Sequence, residues 1–326
     1  MKDGLGRTID YLRISVIDKC NLRCTYCMPV EGFEWIPRAE LLTYEEIAAV
    51  VRELVGMGLR RVRITGGEPL IRKDLPALVR LLRAVEGLEE ISLSTNGILL
   101  PRFATELRLA GVDRVNISLD TLRRERFERI ARRPVRVFDE IMAGLDAAER
   151  AGFAPLKINT VLLRGLNDDE VPQLAELTRT RPWHIRFIEL MPVGDNLHLT
   201  DRYIGADEVL DRLRGLAELL PDAGPRGNGP ARYFRFPGAP GSVGVITPLS
   251  HHYCDSCNRV RLTADGRLRT CLFGTHEVDL KTPLRATGSV GAAVERALQD
   301  KPQRHMLVNG SDSGSGGLGA LSQIGG

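Results

Sequence analysis

Short apolar runs alternate with amphipathic stretches through the first two thirds of the chain. Six runs have the length and the aliphatic content expected of strands: residues 11–17, 61–65, 90–95, 114–119, 156–162 and 184–190. The stretches between them have the spacing of helices that bury one face. Strands that alternate with helices predict βα units and a parallel sheet. Six units are too few for a closed eight-stranded barrel, so a partial barrel or a doubly wound sheet remains.

Several helix ends can be located from single residues. Thr43 with Glu46, and Asn167 with Glu170, have the spacing of a capping box, in which side chain and backbone bond reciprocally at a helix start. Gly56 and Gly58 stand where the first helix should end, because glycine adopts the left-handed backbone of a helix C-terminus easily. The sequence therefore predicts helices that begin after residues 43 and 167.

One face of the six predicted strands is polar. Taking every second residue gives the set Arg13, Ser15, Arg63, Thr65, Ser94, Asn96, Asn116, Ser118, Asp120, Lys157, Asn159 and Arg186. Parallel strands covered by helices are normally apolar on both faces, because burying polar groups without partners is unfavourable. The pattern predicts a partial barrel with a wet lumen that holds a ligand. The alternative is that the cations pair with acidic residues or lie at exposed strand ends.

The alternation of strands and helices stops after Leu190. Residues 221–240 are rich in glycine and proline, which is typical of a loop or a domain junction. Strand-like pieces are predicted at 232–236 and 243–247, and a helix near 290–297. We therefore expect an α/β core of residues 1–217 and a smaller C-terminal α+β domain, residues 218–326, that closes the open side of the barrel. Residues 309–326 have the Gly/Ser-rich composition of a disordered tail.

Composition and charge exclude several classes of protein. With 326 residues, of which 43% are apolar, the chain can bury one large domain, or a large and a small one. A net charge of +3 is too mild to indicate nucleic acid as a partner. No apolar run approaches the roughly 20 residues that cross a bilayer, and we recognise no signal peptide. Six cysteines in two tight groups indicate a reduced, metal-binding protein of the cytoplasm.

The most informative motif runs from Cys20 through Cys24 to Cys27 and places three thiols on one short loop. Three thiolates suit three irons of a four-iron cluster, or a zinc ion that takes its fourth ligand from elsewhere. A four-iron cluster held by three cysteines leaves one iron open to a small molecule. Disulfides are disfavoured because the thiols are few and clustered, and unligated core cysteines rarely fall so close together.

A second group, Cys254, Cys257 and Cys271, lies in the C-terminal third. A zinc knuckle completed by a histidine at position 251, 252 or 276 is one interpretation. The other interpretation rests on Arg259 and Arg261, which follow Cys257 and share one strand face. Three thiolates beside two guanidinium groups suit a polyanionic ligand next to a metal with an open position.

Gly66, Gly67, Glu68 and Pro69 directly follow the second predicted strand. Turn chemistry alone would explain them, ahead of a helix that begins near residue 74. Because ligands of parallel sheets bind at the carboxyl ends of the strands, we favour close approach of this backbone to a ligand. Met191, just past the sixth strand, would by itself be an ordinary core methionine.

The spacing of the first cysteine group, with Tyr26 inside it, resembles the signature of the radical S-adenosylmethionine (SAM) enzymes. Over nearly its whole length the chain resembles one family of them, the GTP 3′,8-cyclases, or molybdenum cofactor biosynthesis proteins A. The similarity includes segments 12–15, 63–69, 116–120, 157–161, 186–191, 254–261, 271–274 and 324–326. The first cysteine group identifies only the superfamily. The second group, its arginines and the terminal glycines point to this family.

The resemblance implies a role for each motif. One [4Fe-4S] cluster would bind Cys20, Cys24 and Cys27, and a second would bind Cys254, Cys257 and Cys271. SAM would contact Tyr26, Gly67, Ser118 and Met191. GTP would contact Arg13, Arg63, Ser94, Lys157, Arg259 and Arg261, with its guanine at the open iron of the second cluster.

Three segments need separate comment. Ser94 stands where the family usually has threonine, and the hydroxyl is kept. Gly325 and Gly326 would reach into the active site, as the family's ending is thought to do. Residues 285–313 show no match to which a role can be assigned.

The implied reaction is a radical cyclisation of GTP to (8S)-3′,8-cyclo-7,8-dihydroguanosine 5′-triphosphate, early in molybdenum cofactor biosynthesis. An adenosyl radical from SAM would abstract the ribose C3′ hydrogen, and the C3′ radical would add to guanine C8. The implied partners are a one-electron reductant and cyclic pyranopterin monophosphate synthase, which takes the product; a homodimer is left open. Two alternatives remain: a radical SAM enzyme that modifies a peptide or a haem precursor, and a zinc-stabilised binding protein without catalysis.

Overall fold

A single sheet runs through the molecule. The computed structural model describes residues 1–225, 227, 229–305, 321, 323 and 324. Its strands are β1 Tyr11–Ser15, β2 Arg61–Thr65, β3 Glu90–Thr95, β4 Arg114–Ser118, β5 Lys157–Val161, β6 His184–Ile188, β7 Leu220–Asp222, β8 Arg232–Arg235, β9 Ser242–Ile246, β10 Arg259–Leu262, β11 Arg267–Arg269 and β12 Glu277–Asp279. Its α-helices are α1 Tyr44–Gly56, α2 Leu75–Arg83, α3 Leu100–Ala110, α4 Arg124–Ala131, α5 Arg136–Arg150, α6 Val171–Thr180, α7 Ala206–Arg214, α8 Lys281–Thr287 and α9 Gly291–Gln299.

Strands β1 to β6 lie side by side in chain order, and all neighbouring pairs are parallel. At least one α-helix follows each of the six strands before the next strand begins. The six predicted βα units are therefore confirmed. The apolar face of the strands and the apolar stripes of the helices form one continuous buried core.

The C-terminal third extends this run at both edges. Strand β10 pairs with β1 in parallel, with Arg261 opposite Arg13. Strand β9 pairs with β6 in parallel, with Gly244 opposite Arg186. The antiparallel strands β11 and β12 continue one edge, and β8 and β7 continue the other. The C-terminal segment thus flanks the six-stranded run on both sides, and the predicted closure of the barrel's open side stays a prediction.

The first predicted capping box is present at the start of α1. The Thr43 hydroxyl accepts from the Glu46 N–H at 3.1 Å, and the Glu46 carboxylate accepts from the Thr43 N–H at 2.8 Å. The helix ends at Gly56, as predicted. Local sequence alone decides both ends of this helix.

The second predicted capping box is wrong. The Asn167 amide oxygen accepts from the Leu163 N–H at 2.8 Å, and its NH₂ group donates to the carbonyls of Asp120 (2.7 Å) and Val161 (2.8 Å). Asn167 is fully buried, and α6 begins only at Val171. A buried amide must satisfy both its donor and its acceptor atoms. It therefore bridges the ends of β4 and β5 instead of capping a helix.

The glycine- and proline-rich stretch 221–240 is not a continuous loop. Strands β7 and β8 lie at its two sides and pair antiparallel. Pro221 is tolerated within β7 because this strand is the last in the sheet order and needs no further partner. The predicted boundary at residue 217 falls between α7 and β7. No helix among the described residues combines the length and the apolar character needed to cross a bilayer.

Candidate active site

A cavity of about 270 Å³ lies against the polar face of the sheet. All the polar-face residues named from the sequence line it, except Ser15, Asn116 and Lys157. The thiols of Cys20, Cys24 and Cys27 lie at the same cavity, as do Arg259 and Arg261 of β10. The predicted polar lumen is therefore present as a cavity. The arginines of the polar strand face and the two arginines that follow Cys257 all line it.

The first cysteine group sits on a tight turn after β1. The N–H groups of Cys27 and Met28 both donate to the Cys24 carbonyl, at 2.9 and 3.1 Å. The loop is fixed to the C-terminus of α4, because Arg23 donates from its N–H to the Ala131 carbonyl at 3.0 Å. These bonds hold three half-buried thiols, none of them in a disulfide, on one short segment.

The surroundings of these thiols fit an iron–sulfur cluster. The Leu22 N–H donates to the Cys20 sulfur at 3.3 Å, and the Asn96 amide lies 3.9 Å from it. Hydrogen bonds of this kind are the usual second layer around cluster sulfurs. Burial raises the pKa of Cys20 to about 11, so loading a metal would release its proton.

Gly67 brings two segments of backbone together beside the cysteine loop. A Cβ on Gly67 would lie 2.1 Å from the Lys19 carbonyl oxygen, and the Gly67 N–H donates to the Ile17 carbonyl at 2.6 Å. The close approach that requires glycine here is therefore to the chain just before Cys20. The backbone of Gly67 also lines the cavity, so its predicted contact with SAM stays a prediction.

Two buried carboxylates flank the cysteine loop. The Glu68 carboxylate accepts from the Thr95 hydroxyl at 2.7 Å and the Asn96 N–H at 2.8 Å, and burial raises its pKa to about 7. The Asp120 carboxylate accepts from the Tyr26 hydroxyl at 2.7 Å, and burial raises its pKa to about 6. These acids place negative charge beside the first cysteine group.

Three arginines occupy neighbouring positions on three adjacent strands. Arg13 lies opposite Arg63 on one side and Arg261 on the other, so neighbouring backbones are about 4.8 Å apart. Burial, and then the charge of Arg261, hold the pKa of Arg13 well below its usual value. Burial likewise lowers the pKa of Arg261 to about 10. Like charges assembled this closely create a strong site for an anion.

Tyr11 and Tyr253 hold Arg259 in this group. The Arg259 guanidinium lies 5.9 Å from the Tyr11 ring centre and 5.3 Å from the Tyr253 ring centre. Arg63 lies over Tyr11 as well, at 5.7 Å. Stacking on aromatic faces stabilises a guanidinium without neutralising it, so the positive charge stays directed to the cavity.

Lys157 is buried more deeply than the other predicted GTP contacts, and its own contact with GTP stays a prediction. It is 4% exposed and is not a wall of the main cavity. Burial, followed by the charge of Arg186, lowers the pKa of Lys157 to about 6. A Cβ on Gly227, in the loop between β7 and β8, would lie 2.8 Å from the Lys157 ammonium. Lys157 therefore belongs to the same group of cationic side chains, but it lies behind the residues that line the cavity.

Asn159 and Arg186 are site residues to which the sequence analysis assigned no contact. Both line the cavity, on β5 and β6, opposite each other in the register. The Asn159 amide oxygen is buried and finds no hydrogen-bond partner among the described residues. Such an acceptor fits a donor group on a ligand. The polar alternation of the strands contained both residues, whereas Tyr11 and Tyr253 had no polar signal in the sequence.

The second cysteine group lines a smaller cavity of about 60 Å³. The two cavities share four walls: Tyr253, Arg259, Arg261 and Leu272. All three thiols of this group are free and half-buried. In contrast to the first group, the pKa of Cys257 is lowered, because the charges of Lys301 and Arg259 outweigh its burial. The two cysteine groups therefore line two neighbouring cavities.

The zinc knuckle considered for this group does not form around its histidines. His251 contacts Asp207 at 3.0 Å instead, and His276 is exposed. Within the described part of the chain, no three Cys, His, Asp or Glu side chains converge on a single metal ion.

Two apolar residues of the C-terminal tail are buried at the site. Leu321 and Ile324 pack with Val193 and against Tyr26, Cys27, Met191, Leu272 and Phe273. Leu321 also lines the main cavity. Composition predicted a disordered tail, yet these two side chains are 8% and 3% exposed. Gly325 and Gly326, to which the sequence analysis assigned a role, lie outside the described residues.

Comparisons with known proteins match the whole chain. Residues 14–178 match the model of the radical SAM superfamily, and residues 183–307 match the model named Molybdenum Cofactor Synthesis C. The GTP 3′,8-cyclase of Pelotomaculum thermopropionicum is 48% identical over 95% of this chain and 96% of its own length. The GTP 3′,8-cyclase of Moorella thermoacetica is 48% identical over the full length of both chains.

Solved structures agree on the fold. Streptococcus suis SuiB bound to its precursor peptide SuiA superimposes with a TM-score of 0.59, at 13% identity, over 82% of this chain and 60% of SuiB. SuiB bound to SAM superimposes with a TM-score of 0.56, at 14% identity, over 81% of this chain and 60% of SuiB. At this identity the similarity establishes a shared fold and nothing finer.

Proposed function

Because the chain belongs to the GTP 3′,8-cyclase family of radical SAM enzymes, we propose that it converts GTP to (8S)-3′,8-cyclo-7,8-dihydroguanosine 5′-triphosphate. The cofactors are SAM and two [4Fe-4S] clusters. One observation carries the proposal beyond the family name. Two neighbouring cavities that share arginine walls bring two separate three-cysteine groups next to a row of like-charged arginines. A polyanionic substrate and two cluster sites are what this reaction requires.

The SAM-cleaving cluster is assigned to Cys20, Cys24 and Cys27. Bound SAM, reduced at that cluster, supplies the radical that removes the C3′ hydrogen of GTP. Tyr26, Gly67, Ser118 and Met191 are the proposed contacts of SAM, and all four line the cavity beside the cysteine loop. The Tyr26 hydroxyl is held by Asp120, which fixes the ring against the cluster site. We add Asn159, whose buried amide oxygen can accept from an ammonium or hydroxyl group.

The substrate side is assigned to the cationic group. Arg13, Arg63, Lys157, Arg259 and Arg261 would bind GTP together with Ser94, and the second cluster on Cys254, Cys257 and Cys271 would bind its guanine. We extend this set to Arg186, which lines the cavity opposite Asn159. Charge-assisted hydrogen bonds from guanidinium groups are strong and directional, so these residues would also orient the nucleotide. A peptide substrate has no need of such a concentration of positive charge.

Partners and location follow from the same chemistry. The first cluster needs one electron for each SAM cleaved, and the cyclised radical takes up one further electron and one proton to become the dihydro product. A one-electron reductant must therefore deliver two electrons for each turnover. The product is consumed by cyclic pyranopterin monophosphate synthase in our proposal, and a homodimer is compatible with it. Six free cysteines, all half-buried, suit a reducing compartment such as the cytoplasm.

The test is transfer of a labelled hydrogen. The protein is reconstituted anaerobically with iron and sulfide, and given SAM, dithionite and GTP deuterated at C3′. We expect 5′-deoxyadenosine that is one mass unit heavier than the unlabelled compound. A nucleotide with the mass of unlabelled GTP but a different retention time should form with it. The Cys24→Ala variant is the control and should form neither. Unlabelled 5′-deoxyadenosine from the intact protein, without a new nucleotide, would assign the radical to another substrate.

A further inference from the structure

Lys301 is a buried cation in the segment to which the sequence analysis assigned nothing. It follows α9 and is 4% exposed. Its ammonium donates to the Arg259 carbonyl at 3.1 Å and to the Thr270 carbonyl. Both acceptors belong to the two segments that carry Cys257 and Cys271, and the charge of Lys301 acts on the Cys257 thiol.

Arg7 holds the backbone of the two residues that follow Lys301. Arg7 is paired with Asp3 at 2.6 Å and donates to the carbonyls of Pro302 (2.8 Å) and Gln303 (3.0 Å). The same guanidinium donates to the Cys254 carbonyl at 2.9 Å. Arg7 therefore ties the segment that follows Lys301 to the segment of Cys254.

A buried ammonium of this kind is unfavourable unless negative charge faces it. Two carbonyl dipoles and a neutral thiol supply little. Three thiolates with an iron–sulfur cluster supply a full compensating charge. The reduction potential of such a cluster depends on net charge and on hydrogen bonds to its sulfurs.

We infer that Lys301 is a positioning residue of the second cluster, which balances the charge of that cluster and raises its reduction potential. The inference rests on the proposed ligand set Cys254, Cys257 and Cys271. Adding an electron to the cluster adds negative charge, and a nearby fixed positive charge favours that step. Removing the charge therefore favours the oxidised cluster. Keeping it while changing the side-chain shape should preserve the potential.

The experiment is a redox titration of the second cluster, followed by electron paramagnetic resonance. It uses full-length protein with Cys24→Ala, so that the first cluster does not contribute to the signal. Three further changes are compared: Lys301→Gln, Lys301→Arg and Arg304→Gln. Arg304 is the matched control because it lies only three residues away along the chain. Its side chain is exposed and forms an ion pair with Asp255 at 3.7 Å. Iron and sulfide content is measured on every sample.

We expect Lys301→Gln to shift the reduction equilibrium at least ten-fold towards the oxidised cluster, which is 59 mV lower for a one-electron couple. Lys301→Arg and Arg304→Gln should keep the parent potential. Loss of the second cluster from Lys301→Gln alone, with Lys301→Arg still loaded, also supports a need for the charge. An unchanged potential in Lys301→Gln, or equal effects of Gln and Arg, would overturn the inference.

Failure of the proposed ligand set gives a different result. If Cys257→Ala in the same background still holds four irons, the second cysteine group does not bind the cluster. In that case the ligand assignment is wrong, independently of Lys301.

Discussion

The two cysteine groups contain the same number of thiols but lie in opposite electrostatic surroundings. Burial raises the pKa of Cys20 and Cys24, and the carboxylates of Glu68 and Asp120 act in the same direction. At the second group, burial raises the pKa of Cys254, but the charges of Lys301 and Arg259 lower the pKa of Cys257 in spite of its burial. The number of cysteines therefore does not define a site. The surrounding charge does, because it decides which ligand can approach.

This difference separates the two proposed ligands. SAM is a sulfonium cation with an ammonium group, and it suits the acidic surroundings of the first group. GTP is a polyanion, and it suits the arginines that border the second group. The two sites line neighbouring cavities that share Arg259 and Arg261, so a radical made at one site would form close to a nucleotide held at the other.

The largest expected effects come from the cysteines themselves. Cys24→Ala should leave one cluster and abolish reductive cleavage of SAM, because the first cluster is lost. Cys257→Ala should keep measurable SAM cleavage but form no cyclised nucleotide. Both are followed by chromatography of 5′-deoxyadenosine and nucleotide products, with iron content as a check. If Cys257→Ala cyclised GTP at the normal rate, the second cysteine group would have a structural role only.

Shortening the C-terminal tail should affect formation of the cyclised nucleotide and not cleavage of SAM. Deleting Gly325 and Gly326 should leave both clusters, GTP binding and SAM cleavage largely intact, yet lower cyclised product at least ten-fold. The buried neighbours Leu321 and Ile324 bring this segment to Tyr26 and Cys27, which is the physical reason for expecting an effect. The ratio of cyclised product to 5′-deoxyadenosine measures it. A truncated protein with the full-length ratio would restore the interpretation of a solvated tail.

Removing single cations should weaken the substrate end by a smaller factor. Arg63→Ala, Lys157→Ala and Arg259→Ala should each raise the Kd for GTP about ten-fold or more, since a charge-assisted hydrogen bond contributes roughly 1.5–3 kcal/mol. Iron content should not change. Arg150→Ala is the matched control, because this arginine is exposed at the end of α5. GTP binding is measured by calorimetry. Unchanged affinity in all three variants would assign these cations to internal ion pairs.

The smallest expected effect is on pH dependence. The pKa of Lys157 is about 6 in the unliganded protein, and a bound triphosphate would raise it. Between the two pKa values, binding takes up a proton, so GTP affinity should fall as pH rises above about 6. Calorimetry at pH 8, in two buffers of different ionisation enthalpy, should show uptake of about one proton per GTP.

The control for this prediction is Lys157→Arg, because arginine stays protonated throughout this range. Its proton uptake should be close to zero. Equal uptake by the two proteins would mean that another group titrates on binding.

The sequence by itself determined what depends on local order. Alternation of strands and helices predicted six βα units, and the alternation within strands predicted the polar face that became the lumen wall. The Thr43 capping box was predictable because its partners are three residues apart. The two cysteine groups were visible because their ligands lie on short segments. Resemblance then supplied the family, which the comparisons confirm.

Only the tertiary structure decided which distant segments meet. Nothing local indicates that β10 pairs with β1, or that Arg261 therefore lies beside Arg13. Asn167 has the spacing of a cap, but burial between β4 and β5 gives its amide other partners. No motif in the sequence indicated Lys301, because its hydrogen-bond partners lie 31 and 42 residues away along the chain. Contacts between remote segments depend on packing and buried charge, and sequence spacing does not encode either.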